Sequence, residues 1–204
     1  MLLPNMKDKS KEDIARFYNQ RSDKYSLVFN DNELHLFKSA THIVKEFTLC
    51  NDLTIVYIAC IMHDRDFDDE THQLKTKHYH IVLQLGQICR VGTILNRICD
   101  MFHCNENQIS IEKCNSLCMQ SRYLMHLDDF DKTEYFLSEV ITNDAEVLKR
   151  YYSLVIVRDL HDLISVVKRF NYDLETIMEN VAHYDKWRKY INDLIINYNR
   201  KPRL

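Results

Sequence analysis

The sequence predicts an α+β protein in which a largely antiparallel sheet is flanked by helices and followed by a small helical domain. Apolar patterns of period 2 and period 3.6 alternate in the order β-α-β-β-α-β-α through about residue 143, which is typical of a split βαβ sheet. After that point the pattern is mostly helical. Only two glycines and two prolines occur in 204 residues, so long flexible linkers are not expected.

The first half of the predicted sheet domain contains two strands joined by a helix. Residues 23–30, DKYSLVFN, form the first predicted strand. The predicted helix begins behind a candidate cap at Asp31 or Asn32, and its apolar residues recur at helical spacing: Leu36, Ala40, Ile43, Val44 and Phe47. Residues 53–62, LTIVYIACIM, are apolar on both faces, as expected for a central strand.

The second half begins with a polar, acidic loop over residues 64–76, which leads into the strand TKHYHIVLQL at 76–85. Residues 90–102 carry apolar side chains at helical spacing, and residues 107–114 are predicted to form another strand. A further helix is expected from about Ser116. This connectivity is that of RRM-like and ferredoxin-like sheets.

Three regions are therefore expected. Residues 1–20 are an extension without an assigned role, residues 21–143 form the sheet domain, and residues 144–204 form the helical domain, with a candidate short strand at 153–157. The basic and aromatic C-terminal segment could contact DNA, but a solvated face on an oligomerising helix is the favoured interpretation, so a homo-oligomer is expected.

Composition restricts the functional classes. The net charge is −3, divided as 16 − 21 = −5 over residues 1–143 and 11 − 9 = +2 over residues 144–204, so DNA binding would have to depend on local patches or on a metal. The longest apolar stretch, about ten residues, is too short for a membrane span. Seven cysteines without an export signal predict reduced thiols in a cytoplasmic protein.

Two histidines in the strand KHYHIVL predict a metal site. His78 and His80 share one strand face, opposite the core-facing Tyr79, and His63 and Asp66 lie where the neighbouring predicted strand ends. Imidazoles with one carboxylate suit Mn²⁺ and, less well, Mg²⁺. The alternative is that both strand histidines are solvated residues on an exposed sheet face.

A tyrosine is the candidate nucleophile. On a helical wheel Tyr123 and His126 lie away from the apolar stripe, whose members are Leu117, Cys118, Ser121, Leu124 and Met125. An exposed phenol can attack phosphorus if nearby charge activates it. The candidate DNA-contacting cations are Lys75, Lys77 and Arg122. An ordinary surface tyrosine is the alternative, since the chain has 12.

The segments MHDRD, KHYHIVL and RYLMH, in this order, resemble the three motifs of HUH endonucleases, and most closely those of the rolling-circle replication initiators of small bacterial plasmids of the pMV158 type. The resemblance covers about residues 55–130. It implies that His63, Asp66, His78 and His80 hold Mn²⁺ or Mg²⁺ and that Tyr123 is the nucleophile, followed by a subfamily histidine at His126. The implied reaction nicks one strand of the origin, leaves a 5′-phosphotyrosine and a free 3′-hydroxyl, and can rejoin strands.

Several alternatives stay open at this point. A relaxase or single-tyrosine transposase could use the same site, and a non-catalytic RRM-like module would bind nucleic acid on sheet aromatics without a metal. Cysteines and His103 around residues 99–118 could bind zinc, although no C-x-x-C pair occurs and buried thiols are favoured. Tyr135 is a second candidate nucleophile, for which packing is the favoured role.

Overall fold

The protein is described by a computed structural model that covers residues 9–30, 37–68, 70–127, 129, 132–182 and 184–199. Five strands form one sheet in the order β4-β1-β3-β2-β5, and every strand pair is antiparallel. The strands are β1 (Arg21–Asn30), β2 (Ile55–His63), β3 (His78–Arg90), β4 (Ile109–Lys113) and β5 (Ile141–Thr142). The predicted α+β class with a largely antiparallel sheet and flanking helices is confirmed.

Eight helices accompany the sheet in the described residues. They are α1 (Lys11–Tyr18), α2 (Ala40–Leu49), α3 (Val91–Phe102), α4 (Leu117–Tyr123), α5 (Ala145–Ser153), α6 (Leu160–Arg169), α7 (Leu174–Asn180) and α8 (Tyr184–Asn199). None of them is long and apolar enough to cross a membrane.

The main core lies between one face of the sheet and helices α2 and α3. On β3 the inward side chains are Tyr79, Ile81 and Leu83, all nearly inaccessible to solvent. Their period of two matches the strand geometry, and the apolar stripe of α3 packs against this face of the sheet. This face buries a continuous apolar layer, which is the main source of stability for such a fold.

The start of α2 differs from the prediction. The helix begins at Ala40, and the Ser39 hydroxyl accepts a hydrogen bond from the His42 amide as N-cap. The predicted caps Asp31 and Asn32 lie outside the described residues, as does Leu36. Serine is as good a cap as aspartate, and the apolar spacing by itself does not choose between caps eight residues apart.

The two ends of the chain add elements that the sequence left open. Residues 11–18 of the extension form α1, and the Tyr18 hydroxyl donates a 2.5 Å hydrogen bond to Glu106. The candidate strand at 153–157 is only an isolated bridge, in which Val155 pairs with Val181. A lone bridge has too few ladder hydrogen bonds to extend into a strand.

The chain divides into two compact units, residues 1–149 and 150–204. The second unit has its own small core, which includes Leu163, Val167, Ile177 and Ile191 from three helices. No disulfide joins the seven cysteines, all of which lie among the described residues.

Candidate active site

The strand register brings three histidines together on the sheet face opposite the main core. His63, the last residue of β2, lies directly across from His78, the first residue of β3, and His80 follows two residues later on the same face. The ring centroids are 5.6 Å apart for His63 and His78, 4.3 Å for His63 and His80, and 4.9 Å for His78 and His80. One nitrogen from each ring lies within 4.8 Å of the others.

Backbone carbonyls orient the rings and select their tautomers. His78 Nδ1 donates to the Thr76 carbonyl at 2.8 Å, and His63 Nε2 donates to the Leu124 carbonyl at 2.8 Å. In a neutral imidazole that donates from one nitrogen, the other nitrogen carries a lone pair. Metal-binding histidines use this same arrangement, because the outer hydrogen bond fixes the ring for the ligand nitrogen.

The carboxylate of Asp66 completes the cluster. Its Oδ2 lies 3.0 Å from His63 Nδ1, although a neutral His63 that donates through Nε2 has only a lone pair to offer there. Two lone pairs at this distance repel each other unless a proton or a metal ion lies between them. His63, Asp66 and His126 form a second set of side chains that could hold an ion.

Burial favours the neutral form of His63 and His80. It lowers the pKa of His63 to about 4, an effect only partly opposed by the hydrogen bond to Leu124 and the charge of Asp66. Burial also holds the pKa of His80 well below its ordinary value, and the neighbouring His63 and His78 lower it further. Neutral His63 and His80 each have a lone pair to offer, and such imidazoles with one carboxylate fit a divalent cation such as Mn²⁺.

Tyr123 stands at the edge of this cluster, at the C-terminal end of α4. The helix is capped by Ser116, and the Tyr57 and Ser121 hydroxyls, 3.2 Å apart, join it to the sheet. The Tyr123 side chain is 38% exposed, and its ring centroid is 5.8 Å from that of His80. The side chain is therefore partly accessible to solvent, while its ring lies beside that of His80.

Lys132 is a site residue that the sequence analysis missed. Its ammonium group donates a 3.0 Å hydrogen bond to the Tyr123 hydroxyl and lies 3.1 Å from an oxygen of Asp129. Burial by itself would lower the pKa of Lys132, but the contacts with Tyr123 and Asp129 outweigh it and raise that pKa. A permanent positive charge therefore sits at the phenol oxygen.

The prediction that His126 lies away from the buried side, together with Tyr123, is wrong. Helix α4 ends at Tyr123, and His126 adopts a left-handed backbone conformation with φ of 54° that turns its ring inward, leaving it 3% exposed. Its Nδ1 donates to the Thr133 carbonyl at 2.8 Å, and its ring lies 4.5 Å from that of His63. The helical wheel failed because it was extended past the last helical residue.

Tyr135 supports the cluster and does not face the substrate side. Its ring, 1% exposed, stacks on His63 at 4.4 Å with an interplanar angle of 10°. Its hydroxyl accepts from the backbone amides of Asp64 and Arg65, both at 3.0 Å, and donates to Asp66 at 3.2 Å. The favoured packing role holds, but the hydroxyl also fixes the carboxylate of the cluster.

A cavity of about 780 Å³ opens beside the histidines. Its lining includes His78, His80, Tyr123, Lys75 and Lys132. The other two predicted DNA-binding cations lie outside that lining: Lys77 is exposed just before β3, and Arg122 is half-buried on α4. Three of the four predicted metal ligands (Asp66, His78 and His80), the tyrosine and one of three predicted cations thus border a single space, whereas His63 is buried and does not line it.

Comparison with known proteins gives one family match. No curated protein matches the chain. The family model for the plasmid replication protein origin-binding domain matches residues 18–148, which is more than half of the chain and includes every site residue described above. The match confirms the predicted kinship with plasmid replication initiators and makes origin DNA the partner. The chain belongs to the plasmid replication proteins that carry this origin-binding domain.

Proposed function

We propose that this plasmid replication initiator nicks one strand of its origin with Tyr123 and later rejoins strands, as an HUH-type endonuclease. The observation that carries the proposal is the exposed Tyr123 hydroxyl, 3.0 Å from the Lys132 ammonium and beside three clustered histidines. A tyrosine with no chemical role would not need this combination of a fixed cation and a metal-compatible cluster.

His63, His78, His80 and Asp66 are the residues we propose as ligands of Mn²⁺ or Mg²⁺. When bound there, the ion would withdraw charge from the non-bridging oxygens of the scissile phosphate. The mixed nitrogen and oxygen donors favour Mn²⁺, because Mg²⁺ prefers oxygen ligands alone.

In the proposed cleavage, the Tyr123 oxygen forms a bond to phosphorus as the bond from phosphorus to the 3′-oxygen breaks. The phenol proton passes to water at the exposed edge of the cavity, and the departing 3′-oxygen takes a proton to become a hydroxyl. Lys132 stabilises the negative charge that develops on the phenol oxygen. Attack by a 3′-hydroxyl on the phosphotyrosine reverses these steps and joins strands.

His126 has a positioning role in this scheme. Its ring centroid lies 5.4 Å from that of Tyr123 and 4.5 Å from that of His63, while Thr133 holds its Nδ1 proton. The ring thus packs between nucleophile and cluster, and the hydrogen bond to Thr133 fixes its orientation there.

The remaining assignments extend this proposal. Residues 21–143 would bind and nick the origin, while residues 144–204 would serve oligomerisation in a cytoplasmic protein. Lys75, on the cavity wall, is the predicted cation best placed for a DNA phosphate. The family match favours replication over conjugative transfer or transposition.

The test is incubation with supercoiled plasmid that bears its own origin, with Mn²⁺, followed by denaturing electrophoresis for protein-linked DNA. A covalent adduct is expected, and it should disappear with chelator and in Tyr123→Phe. Tyr190→Phe, a control at another exposed tyrosine, should form the adduct normally. An undiminished adduct in Tyr123→Phe contradicts the assignment of the nucleophile.

A further inference from the structure

We propose that Phe67, on the loop after β2, is a stacking surface for a nucleobase of single-stranded DNA beside the scissile phosphate. DNA as the partner follows from the family. The position next to the scissile phosphate rests on the proposed nicking function.

The sheet itself cannot supply such a surface. Modules with this kind of sheet bind single strands by stacking bases on exposed strand aromatics. Here the aromatic side chains of the described strands are all buried, with exposed fractions of 0 to 3%: Tyr25, Phe29, Tyr57 and Tyr79. This argues against the RRM-like binding mode, and an unstacked base needs another aromatic partner.

Phe67 has the required exposure and position. Its side chain is 57% exposed and lines the same cavity as His78 and Tyr123. Leu74, also 57% exposed, lies opposite Phe67 in an antiparallel bridge, so the two side chains share one side of the loop. Exposed apolar side chains such as these, next to a polar cavity, are typical of a binding surface.

The loop that carries Phe67 is internally braced. The amide of Lys75 donates to the Asp66 carbonyl at 2.8 Å, and that of His72 donates to the Asp68 carbonyl at 2.8 Å. The Asp68 side chain accepts from the amide and hydroxyl of Thr71 at 2.9 and 3.0 Å. A loop held in this way loses little conformational entropy when a ligand stacks on it.

The rest of the cavity suits a nucleotide better than a bare anion. Asn30, Asp68, His72 and Thr76 line it with donors and acceptors for a base edge, while Lys75 and Lys132 provide charge for the backbone phosphate. Its volume of about 780 Å³ is in the range of small-molecule sites. An anion would use the cations but would give Phe67 no partner.

The experiment compares binding of a labelled thymidine oligomer and of an abasic oligomer of equal length to the full chain in Mg²⁺. Since stacking is tolerant of base sequence, we expect the wild type to prefer the thymidine oligomer. Phe67→Ala should weaken thymidine binding by about 5- to 150-fold and leave abasic binding unchanged. Phe67→Trp should keep the preference.

Phe136→Ala is the matched control, because Phe136 is 69% exposed and lies outside the lining of the cavity. It should bind both oligomers like the wild type. Equal binding of both oligomers by the wild type, unchanged thymidine binding by Phe67→Ala, or an equal loss in Phe136→Ala would each overturn the proposal.

The assay involves no cleavage, so its outcome is separate from that of the nicking experiment. If Tyr123→Phe nicks normally while Phe67→Ala loses the base preference, the nucleophile assignment fails and the stacking surface stands. If the adduct forms as expected but Phe67→Ala binds normally, nicking stands and the stacking surface fails.

Discussion

Alternate residues of β3 meet two different environments on the two faces of the sheet. Tyr79, Ile81 and Leu83 point into an apolar core, whereas His78 and His80 point into a polar cluster with an open cavity beside it. The apolar face stabilises the fold, with about 1.5–3 kcal/mol for each fully buried aliphatic side chain. On the histidine face, burial of polar rings costs desolvation free energy that the hydrogen bonds only partly offset. The same hydrogen bonds hold the imidazoles in fixed positions.

The neighbours His80 and Ile81 give the largest expected contrast. Ile81→Ala should reduce the free energy of unfolding by about 2–5 kcal/mol through lost burial and a cavity, as measured by urea denaturation. His80→Ala should have a much smaller effect on metal-free stability but weaken Mn²⁺ binding by at least about 100-fold, as measured by calorimetry. Undiminished Mn²⁺ binding in His80→Ala would remove His80 from the proposed ligands.

The histidine face should also make stability depend on pH. Because the pKa of His63 is lowered to about 4, the unfolded chain binds more protons than the folded chain between about pH 4 and the ordinary value near 6.5. Stability of the metal-free protein should be complete above that window and fall as the pH falls through it, by about 3 kcal/mol at pH 4 for His63 alone.

Urea titrations at several pH values measure this dependence. Ile81→Val, on the apolar face, should lower stability by a constant amount across the window, about 0.5–1.5 kcal/mol. His80→Ala should flatten the dependence, since burial also lowers the pKa of His80. A wild-type stability that is level from pH 7 to pH 4 would contradict burial of neutral histidines.

Lys132 tests the exposed edge of the histidine face. Lys132→Gln removes the charge at the Tyr123 oxygen and should slow nicking by about 10- to 150-fold, the value of a charge-assisted hydrogen bond of roughly 1.5–3 kcal/mol. Single-turnover cleavage of plasmid DNA measures the rate. Lys132→Arg should recover part of it, and Lys149→Gln, at an exposed ion pair with Glu146, should change nothing.

The smallest expected difference is between the effects of removing two buried tyrosine hydroxyls, one on each face of the sheet. Tyr25 on the apolar face donates to the Cys89 carbonyl, and Tyr135 on the histidine face donates to Asp66. Either change to Phe should cost about 1–3 kcal/mol of stability, because backbone partners are left unpaired. Only Tyr135→Phe should weaken Mn²⁺ binding, by about 10-fold, through a less restrained Asp66. An equal effect of Tyr25→Phe on Mn²⁺ would contradict the separation of the two faces.

Local pattern was enough to predict four of the five strands, all but β5, and the grouping of His63 with His78 and His80. Strand alternation fixes which residues share a face, and antiparallel pairing of consecutive strands places the end of β2 beside the start of β3. The predicted start of α2 was wrong, because an apolar period marks the body of a helix and leaves its cap open.

The tertiary structure decided which side chains surround the nucleophile. His126 turns inward because α4 ends at Tyr123, and Lys132 and Tyr135 reach the cluster only because the chain after α4 folds back over the histidine face. The contacts of Lys132 with Tyr123 and of Tyr135 with His63 join residues that are separated along the chain, and the position of His126 depends on an irregular turn. None of these arrangements produces a periodic pattern in the sequence. The sequence by itself determined four of the five strands, their faces and the metal-compatible histidines; tertiary packing decided the cation at the phenol and the support of Asp66.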